Sequence, residues 1–184
     1  MKKLIALLCF AALSGAGADT FKVDPVHSTV LVRVKHLDLS NAYGRFNDIS
    51  GTIEVDPTDV EKGKLDFTVK TDSIDTANDK RDAHLKSPDF FDTKQFPVIT
   101  FKSSSIKKID EKNYELTGDL TIKGVTKPVT GKFEHFGVGK GMQGEERIAA
   151  EALFKIKRTD FGMNFLVGPV GNDAEIIVSI EAAK

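Results

Sequence analysis

The chain has 184 residues, of which 29% are charged and 40% hydrophobic, a length and composition typical of one globular domain. Its formal net charge is −1, and it becomes −3 if the N-terminal Lys2 and Lys3 are removed. This balance argues against nucleic acid as a partner, because nucleic-acid binders carry a basic face, and against adsorption to anionic lipid surfaces.

Residues 1–18 have the pattern of a cleaved signal peptide. Two lysines precede an apolar run over residues 4–13, and three small residues follow it. The run is shorter than the roughly 20 apolar residues that a spanning helix needs, so we predict cleavage before Asp19, export, and no stable membrane insertion. The only cysteine, Cys9, lies in this run, which leaves the mature domain of residues 19–184 without a disulfide or a cysteine ligand.

Hydrophobic residues of the remaining chain recur with a period of two, which is typical of strands with one buried face. Val30, Val32 and Val34 share one face of the first run. The same alternation continues at Ile53, Val55, Leu65, Phe67, Val69, Ile99, Phe101, Leu116, Leu120, Ile122, Ala150, Ala152, Phe154, Ile156, Ala174, Ile176, Val178 and Ile180. Turn residues separate these runs by mostly short connections, so we predict about eight antiparallel strands in an all-β fold.

One segment departs from this alternation. Residues 76–86 predict a short α-helix, which Thr76 or Asn78 would cap and Ser87-Pro88 would end. A lone helix between strands suggests a plug or lid. We therefore place this helix near one mouth of the predicted barrel.

The predicted sheet is expected to close into a barrel, because closure removes the exposed edges that invite aggregation. Eight strands enclose an interior that side chains can fill or that can hold one slim ligand. The inward positions include Gly118, Ala150, Ala152 and Ala174. These small residues leave room for a ligand, but they suit a filled and tapering barrel equally well. The sequence pattern is compatible with a hollow interior and with a filled one.

Five motifs stand in a fixed order along the chain. They are Asp24-Pro25-Val26-His27-Ser28, Gly44-Arg45-Phe46, the segment RDAHLKSPDFFD from Arg81 to Asp92, the segment GDLTIKGVTKPV from Gly118 to Val129, and Lys157-Arg158-Thr159-Asp160-Phe161-Gly162. In this order and spacing they resemble the YceI-like, polyisoprenoid-binding family over about residues 21–181. The resemblance implies an extended, lipocalin-like barrel with a helix near one end. It also implies a long apolar tunnel that takes a polyprenyl chain or a similar amphiphile in a bacterial periplasm.

The apolar inward faces and the segment after the helix supply the predicted tunnel wall. Its residues are Val30, Val32, Val34, His36, Phe67, Val69, Phe90, Phe91, Phe101, Leu120, Ile122, Phe154 and Ile156. Each of them also suits an ordinary barrel core. Phe90 and Phe91 directly follow the helix, so they are expected either to gate the tunnel or to anchor the helix to the barrel.

Polar residues of the predicted helix are candidates for binding a lipid head group. Arg81, Asp82 and His84 would frame the mouth, and Arg81 would hold a phosphorylated group by charge-assisted hydrogen bonds. The alternative is structural. Asp82 and Lys86 have the i,i+4 spacing of a helical ion pair, and Arg81 would pair with a nearby carboxylate.

Arg158 is a fourth head-group candidate. It is in phase with Phe154 and Ile156, so its side chain is predicted to point into the barrel. A buried arginine needs a partner. That partner is either Asp160, in a structural pair, or an anionic group of the ligand.

Signals for catalysis and metal binding are absent from the sequence. It contains neither Gly-x-Ser-x-Gly nor His-Glu-x-x-His, and His27, His36, His84 and His135 lack the spacing of a zinc motif. We therefore predict no metal, no cofactor and no enzymatic activity. An alternative is an enzyme acting on an isoprenoid or quinone-like substrate, with His36 as acid or base and Arg158 as its electrostatic partner.

The predicted function is that of a periplasmic carrier, store or scavenger of an isoprenoid or similar amphiphilic lipid. The lipid is the expected partner, and no nucleic acid is expected. A filled barrel that only binds a protein partner is a third interpretation. The sequence leaves open whether the protein forms a homodimer.

Overall fold

The computed structural model describes residues 18–56 and 58–184. Apart from its last residue, the predicted signal peptide lies outside the described residues. None of the helices in the described part of the chain is long and apolar enough to span a membrane.

Strands make up most of the described chain. They are β1 (Asp19–Val23), β2 (Thr29–His36), β3 (Ser40–Phe46), β4 (Ile49–Asp56), β5 (Asp59–Lys70), β6 (Ile74–Asp75), β7 (Val98–Lys108), β8 (Asn113–Ile122), β9 (Val125–Lys140), β10 (Glu146–Lys157) and β11 (Val170–Ala183). One α-helix, α1 (Asp79–Leu85), lies among these residues, together with short 3₁₀ helices at Thr71–Ser73 and Arg158–Phe161.

The strands close into a ring. Its order is β1, β4, β5, β7, β8, β9, β10 and β11, and β11 pairs with β1 again. The strands β2, β3 and β6 continue three of these positions toward one end: β2 pairs with β11, β3 with β2, and β6 with β3. Eight strand positions therefore surround the interior of the described barrel, and their pairings are antiparallel. The prediction of an eight-stranded, antiparallel, lipocalin-like barrel with one short helix is confirmed.

Alternation along β8 illustrates why these segments form strands. Tyr114, Leu116, Gly118, Leu120 and Ile122 are buried, and the residues that alternate with them are polar and more exposed. Successive side chains of a strand point to opposite faces, so a period of two puts every apolar residue on the inner face. Residues 18–56 and 58–184 therefore share one hydrophobic interior.

The helix is shorter than the predicted span of residues 76–86. It begins after Asn78, whose Oδ1 accepts a hydrogen bond from the Arg81 amide at 3.0 Å, which is the geometry of an N-cap. Ala77 has a φ of 59°. This left-handed conformation cannot continue a right-handed helix, so the helix cannot extend further toward the N-terminus.

Different elements cover the two ends of the barrel. The helix end carries α1 and the turns at residues 37–39 and 123–124, and Lys123 donates a hydrogen bond from Nζ to the carbonyl of Pro88 at 2.9 Å. The far end carries the outer ends of β1 and β11, where Lys184 Nζ lies 2.6 Å from Asp19 Oδ1. The predicted position of the helix near one mouth is confirmed.

Candidate functional site

A cavity of about 890 Å³ occupies the half of the barrel next to the helix end. Inward-facing side chains from all around the barrel form its wall, and most of them are apolar. The exposed residues among its lining, including His36, Ser40, Arg81 and His84, lie at the helix end. The cavity therefore opens at that end.

The structure places all thirteen residues of the predicted tunnel wall on the lining of this cavity. The wall also includes residues that the prediction omitted: Ala42, Gly44, Phe46, Ile49, Ile74, Ile99, Leu116, Val129, Ala152, Met163, Leu166, Ala174, Ile176 and Val178. The alternation of Ala174, Ile176 and Val178 is visible in the sequence. In contrast, Ala42 and Gly44 carry little hydrophobic signal, and only their pairing with β2 shows where they point.

Side chains fill the other half of the barrel. Those that are buried there but lie off the cavity wall include Phe21, Ile53, Val55, Leu65, Ile106, Tyr114, Phe133, Ile148, Ile180 and Ala182. We call this region the packed half, and the region around the cavity the cavity half. The sequence did not distinguish a hollow interior from a filled one, and the barrel has one half of each kind. The long tunnel that the resemblance implies is therefore a pocket with one open end.

Two phenylalanine rings lie near the deep end of the cavity, where Ala152 and Val178 line the wall one inward position deeper. Phe101 on β7 and Phe154 on β10 have ring centroids 5.3 Å apart and planes tilted by 52°. The strands β8 and β9 separate β7 from β10 in the sheet, so these rings meet across the interior of the barrel. We call this pair the aromatic bridge.

His36 lies at the exposed end of β2, on the rim of the cavity. Its ring is exposed because β2 extends past the covered part of the barrel here. Within the described chain, no side chain or backbone group forms a hydrogen bond with its ring. It is paired across the sheet with Ser40 on β3 and Val170 on β11.

Arg81 lies on the rim and uses its guanidinium locally. Its Nε donates a hydrogen bond to Thr76 Oγ1 at 2.8 Å, and its Nη2 donates one to the Thr76 carbonyl at 2.7 Å. The predicted pairing with a carboxylate is wrong, since Thr76 is its partner. The guanidinium is exposed and contributes to the cavity lining, so its remaining N–H groups face the rim.

Asp82 does not line the cavity. Its Oδ1 accepts a hydrogen bond from the Thr76 amide at 2.9 Å and another from the Thr76 hydroxyl. The predicted i,i+4 pair with Lys86 is replaced by this contact, which fastens α1 to the residues before it. The helix prediction missed this contact, because the left-handed turn at Ala77 brings Thr76 back toward Asp82.

His84 belongs to an aromatic cluster on the rim. Its ring packs edge-on against Phe90, with centroids 5.1 Å apart, and against Phe165, with centroids 5.2 Å apart. Its Nε2 lies 2.9 Å from Asp89 Oδ2. Phe90 is buried, and the neighbouring Phe91 packs edge-on against Phe46 at 5.4 Å. Both phenylalanines therefore line the cavity and also anchor the helix segment to the barrel.

Arg158 is only 5% exposed and lies on the cavity wall. Its Nε donates to the Gly171 carbonyl at 2.8 Å and its Nη2 to the Val170 carbonyl at 2.9 Å, while Nη1 makes a longer contact of 3.4 Å with the Met163 carbonyl. The predicted partner, Asp160, is absent from this set. Across residues 18–56 and 58–184, no carboxylate lies within ion-pair distance of this guanidinium.

The charge of Arg158 is therefore buried against neutral groups. Burial lowers the pKa of its guanidinium from the ordinary value, although arginine stays protonated in proteins. The Phe90 ring adds a weak cation–π contact, with its centroid 6.0 Å from Arg158 Cζ. Three of the five N–H groups have carbonyl acceptors. The arrangement leaves donors and an uncompensated positive charge beside an apolar cavity.

A polar cluster closes the far end of the barrel. Asp24, His27 and Glu181 bring three potential metal ligands within 4.8 Å of one another. The Arg147 guanidinium already occupies this cluster, since Nη1 donates to Asp24 Oδ2 at 2.9 Å and to Glu181. Hydrogen bonds from His27 and Arg147 hold the pKa of the Asp24 carboxyl well below its ordinary value. The cluster is accounted for as an ion-pair network that joins β10, β11 and the segment after β1.

Comparison with known proteins shows the same architecture in relatives. Protein YceI of Escherichia coli O6:H1 is 39% identical over 190 residues, which cover 100% of this chain and 99% of that protein. The crystal structure of the Campylobacter jejuni YCEI protein has a TM-score of 0.74 at 39% identity and covers 82% of this chain and 89% of that chain.

A more distant structure shares the fold. The polyisoprenoid binding domain from Saccharophagus degradans, implicated in plant cell wall breakdown, has a TM-score of 0.70 at 13% identity, covering 89% of this chain and 97% of that chain. Residues 21–182 match the family described as the YceI-like domain. This match and the relatives of nearly equal length show that the chain belongs to the YceI-like domain family.

Proposed function

We propose that this protein binds a long-chain isoprenoid or a similar amphiphilic lipid in the cavity of its barrel. The observation that carries the proposal is the apolar pocket of about 890 Å³ with one open end. Ligand pockets commonly have volumes of about 300–1,000 Å³, so this one is large for a protein of its size. An apolar pocket with a polar rim suits an amphiphile with one hydrocarbon tail and one polar end.

The energetics favour a long tail. Burial of apolar surface contributes about 25 cal/mol per Å². At roughly 0.3 kcal/mol per heavy atom, a tail with about twenty buried carbons would contribute about 6 kcal/mol, which corresponds to an affinity of tens of micromolar. Such a lipid aggregates in water, so a pocket that encloses its tail keeps it soluble. The described binding of polyisoprenoid by the Saccharophagus degradans domain, which has the same fold, supports this ligand class.

The head group would lie at the helix end, where the polar lining is. Arg158 supplies a buried positive charge with free donors, and Arg81 and His84 stand on the rim above it. Charge-assisted hydrogen bonds are about twice as strong as neutral ones. If Arg158 holds the head group, Arg158→Met should weaken binding of a prenyl pyrophosphate more than binding of the matching alcohol. An equal loss for both ligands would remove Arg158 from the head-group site.

Retained lipid gives the most direct test of the proposal. Organic extracts of washed, folded protein should contain an amphiphile that mass spectrometry identifies. Ala174→Phe places a ring on the cavity wall and should reduce the amount retained. Ala83→Phe, which puts the same ring on an exposed position of α1 away from the wall, serves as the matched control. Repeated absence of any amphiphile from the unaltered protein would contradict the proposal.

The cellular role we propose is that of a carrier, store or scavenger in the periplasm, reached through the signal peptide predicted from the sequence. A lipid that must cross an aqueous compartment needs a soluble container, which the barrel supplies. Cell fractionation of a strain that produces the full chain tests the location. Recovery of the protein with its N-terminal residues intact in the cytoplasm would contradict it.

Binding without catalysis is part of this proposal. His36 has no hydrogen-bonding partner among the described residues that would orient its ring as an acid or base. Incubation with prenyl alcohols and quinones should therefore leave them chemically unchanged. Turnover that disappears in His36→Gln would establish the enzymatic alternative.

A further inference from the structure

We propose that the aromatic bridge of Phe101 and Phe154 is the stop for the lipid tail, so that the pocket selects its ligand by chain length. This inference rests on the proposed lipid-binding function and adds a specificity to it. Three features of the barrel support it. The two rings meet inside the barrel over the intervening strands β8 and β9, these strands have glycines beneath the rings, and the region just below is filled.

The rings of Phe101 and Phe154 meet inside the barrel because their strands, β7 and β10, are not neighbours in the sheet. Phe101 pairs with Phe67 on β5 and Leu120 on β8, whereas Phe154 pairs with Gly131 on β9 and Ile176 on β11. A ring contact at 5.3 Å between strands that are not neighbours requires both side chains to reach inward. Together they cross the path of a tail that enters from the helix end.

Two glycines on the intervening strands hold the rings in this position. A Cβ on Gly118 would lie 2.5 Å from Phe101 Cζ, and a Cβ on Gly131 would lie 2.6 Å from Phe154 Cδ1. Both distances are shorter than any van der Waals contact, so each ring lies directly against the bare backbone of a glycine. The wall of β8 and β9 is therefore shaped to seat these two rings.

The packed half begins just below the aromatic bridge. On β10, Ala152 still lines the cavity, but Ala150 and Ile148 do not. Phe133 pairs with Ala152 across the sheet, and its ring lies 5.9 Å from that of Tyr114. Protein interiors of this kind are close-packed. A tail can therefore reach about one inward position past Phe154, to Ala152, before it meets core side chains.

The length available to a tail follows from the strand geometry. Along β2, the lining positions run from Val30 near the aromatic bridge to His36 on the rim. At about 3.3 Å per residue, these six steps span roughly 20 Å. A longer extended tail must fold back or leave its outer end in water. Affinity should therefore rise with tail length and then level off.

Prenyl alcohols of increasing length are the probes for this limit. Their dissociation constants are measured by calorimetric titration of lipid-free protein. In the unaltered chain, affinity should improve about tenfold for each additional buried five-carbon isoprene unit, up to a plateau. Phe154→Leu, which removes part of the stop, should shift the plateau to longer alcohols, and Ala152→Leu, which fills the deep end, should shift it to shorter ones.

Phe133→Leu is the matched control. Phe133 and Phe154 are 7% and 6% exposed, but only Phe154 lines the cavity. The control should leave the plateau where it is, and thermal unfolding checks that each variant is folded. An unchanged plateau in both Phe154→Leu and Ala152→Leu would overturn the aromatic bridge as the stop while leaving lipid binding in place. Failure of the unaltered protein to bind any of the alcohols would contradict the proposed function itself.

Discussion

The cavity half and the packed half of this barrel share the strands β4, β5 and β7 to β11 and the same alternation, yet one is hollow and the other is solid. The two halves differ in the size of the side chains that point inward. In the packed half, the large side chains of Phe21, Tyr114 and Phe133 are buried. In the cavity half, β2 and β11 contribute mainly valine, alanine and isoleucine, which are too short to meet across the interior. A period of two therefore specifies which side chains face inward, and their size decides whether they fill the space.

The largest expected difference between the halves is in the cost of removing a ring. Phe21 is fully buried in the packed half, so Phe21→Ala should lower the free energy of unfolding by about 3–5 kcal/mol. Phe91 borders the cavity and packs against Phe46 on one side. Phe91→Ala should cost only about 1 kcal/mol. Urea denaturation followed by circular dichroism measures both, and equal losses would contradict the contrast between the halves.

Enlarging a buried alanine should also cost more in the packed half than in the cavity half. Ala182 and Ala174 both lie on β11 and are 0% and 3% exposed, but only Ala174 lines the cavity. Ala182→Leu should destabilise the fold by about 1–3 kcal/mol through overpacking. Ala174→Leu has open space beside it and should cost less than about 1 kcal/mol. The same denaturation experiment applies, and an equal or larger cost at Ala174 would show that the cavity wall is rigidly packed.

The smallest expected effect concerns the polar cluster at the far end. The pKa of Asp24 is lowered from 3.8 by its hydrogen bonds with His27 and Arg147. A carboxyl with a lowered folded pKa stabilises the fold above its unfolded pKa, and this stabilisation is lost as the pH falls through the folded value. Asp24→Asn should therefore reduce the unfolding temperature at neutral pH, and the difference from the unaltered protein should shrink in acid.

Asp89→Asn is the control for that experiment at the helix end. The His84–Asp89 pair is about half exposed, with side-chain exposures of 44% and 48%, so solvent screens it and its loss should change stability little. A difference for Asp24→Asn that persists unchanged in strong acid would show that the effect of the substitution is not electrostatic.

The helix and the buried arginine show where local sequence patterns stop being informative. Residues 76–86 have the composition of a helix, but a left-handed residue at Ala77 shortens it and turns Thr76 toward Asp82 and Arg81. The phase of Arg158 correctly predicted that it points inward. Its partners are the carbonyl of Met163 and the carbonyls of Val170 and Gly171 at the start of β11, and the latter two lie twelve and thirteen residues away. No spacing rule within a strand can indicate such partners.

The amino-acid sequence by itself determined the all-β class, the position of most of the strands and the inward orientation of the buried strand residues predicted to line the pocket, because strand alternation is a local property of the backbone. Only the tertiary structure decided that the interior is half hollow and half filled, because that depends on which side chains from non-adjacent strands meet across the barrel. The meeting of Phe101 and Phe154 over Gly118 and Gly131 is such a case. Each of these residues is an ordinary strand position on its own, and closure of the sheet brings the four together at the deep end of the cavity.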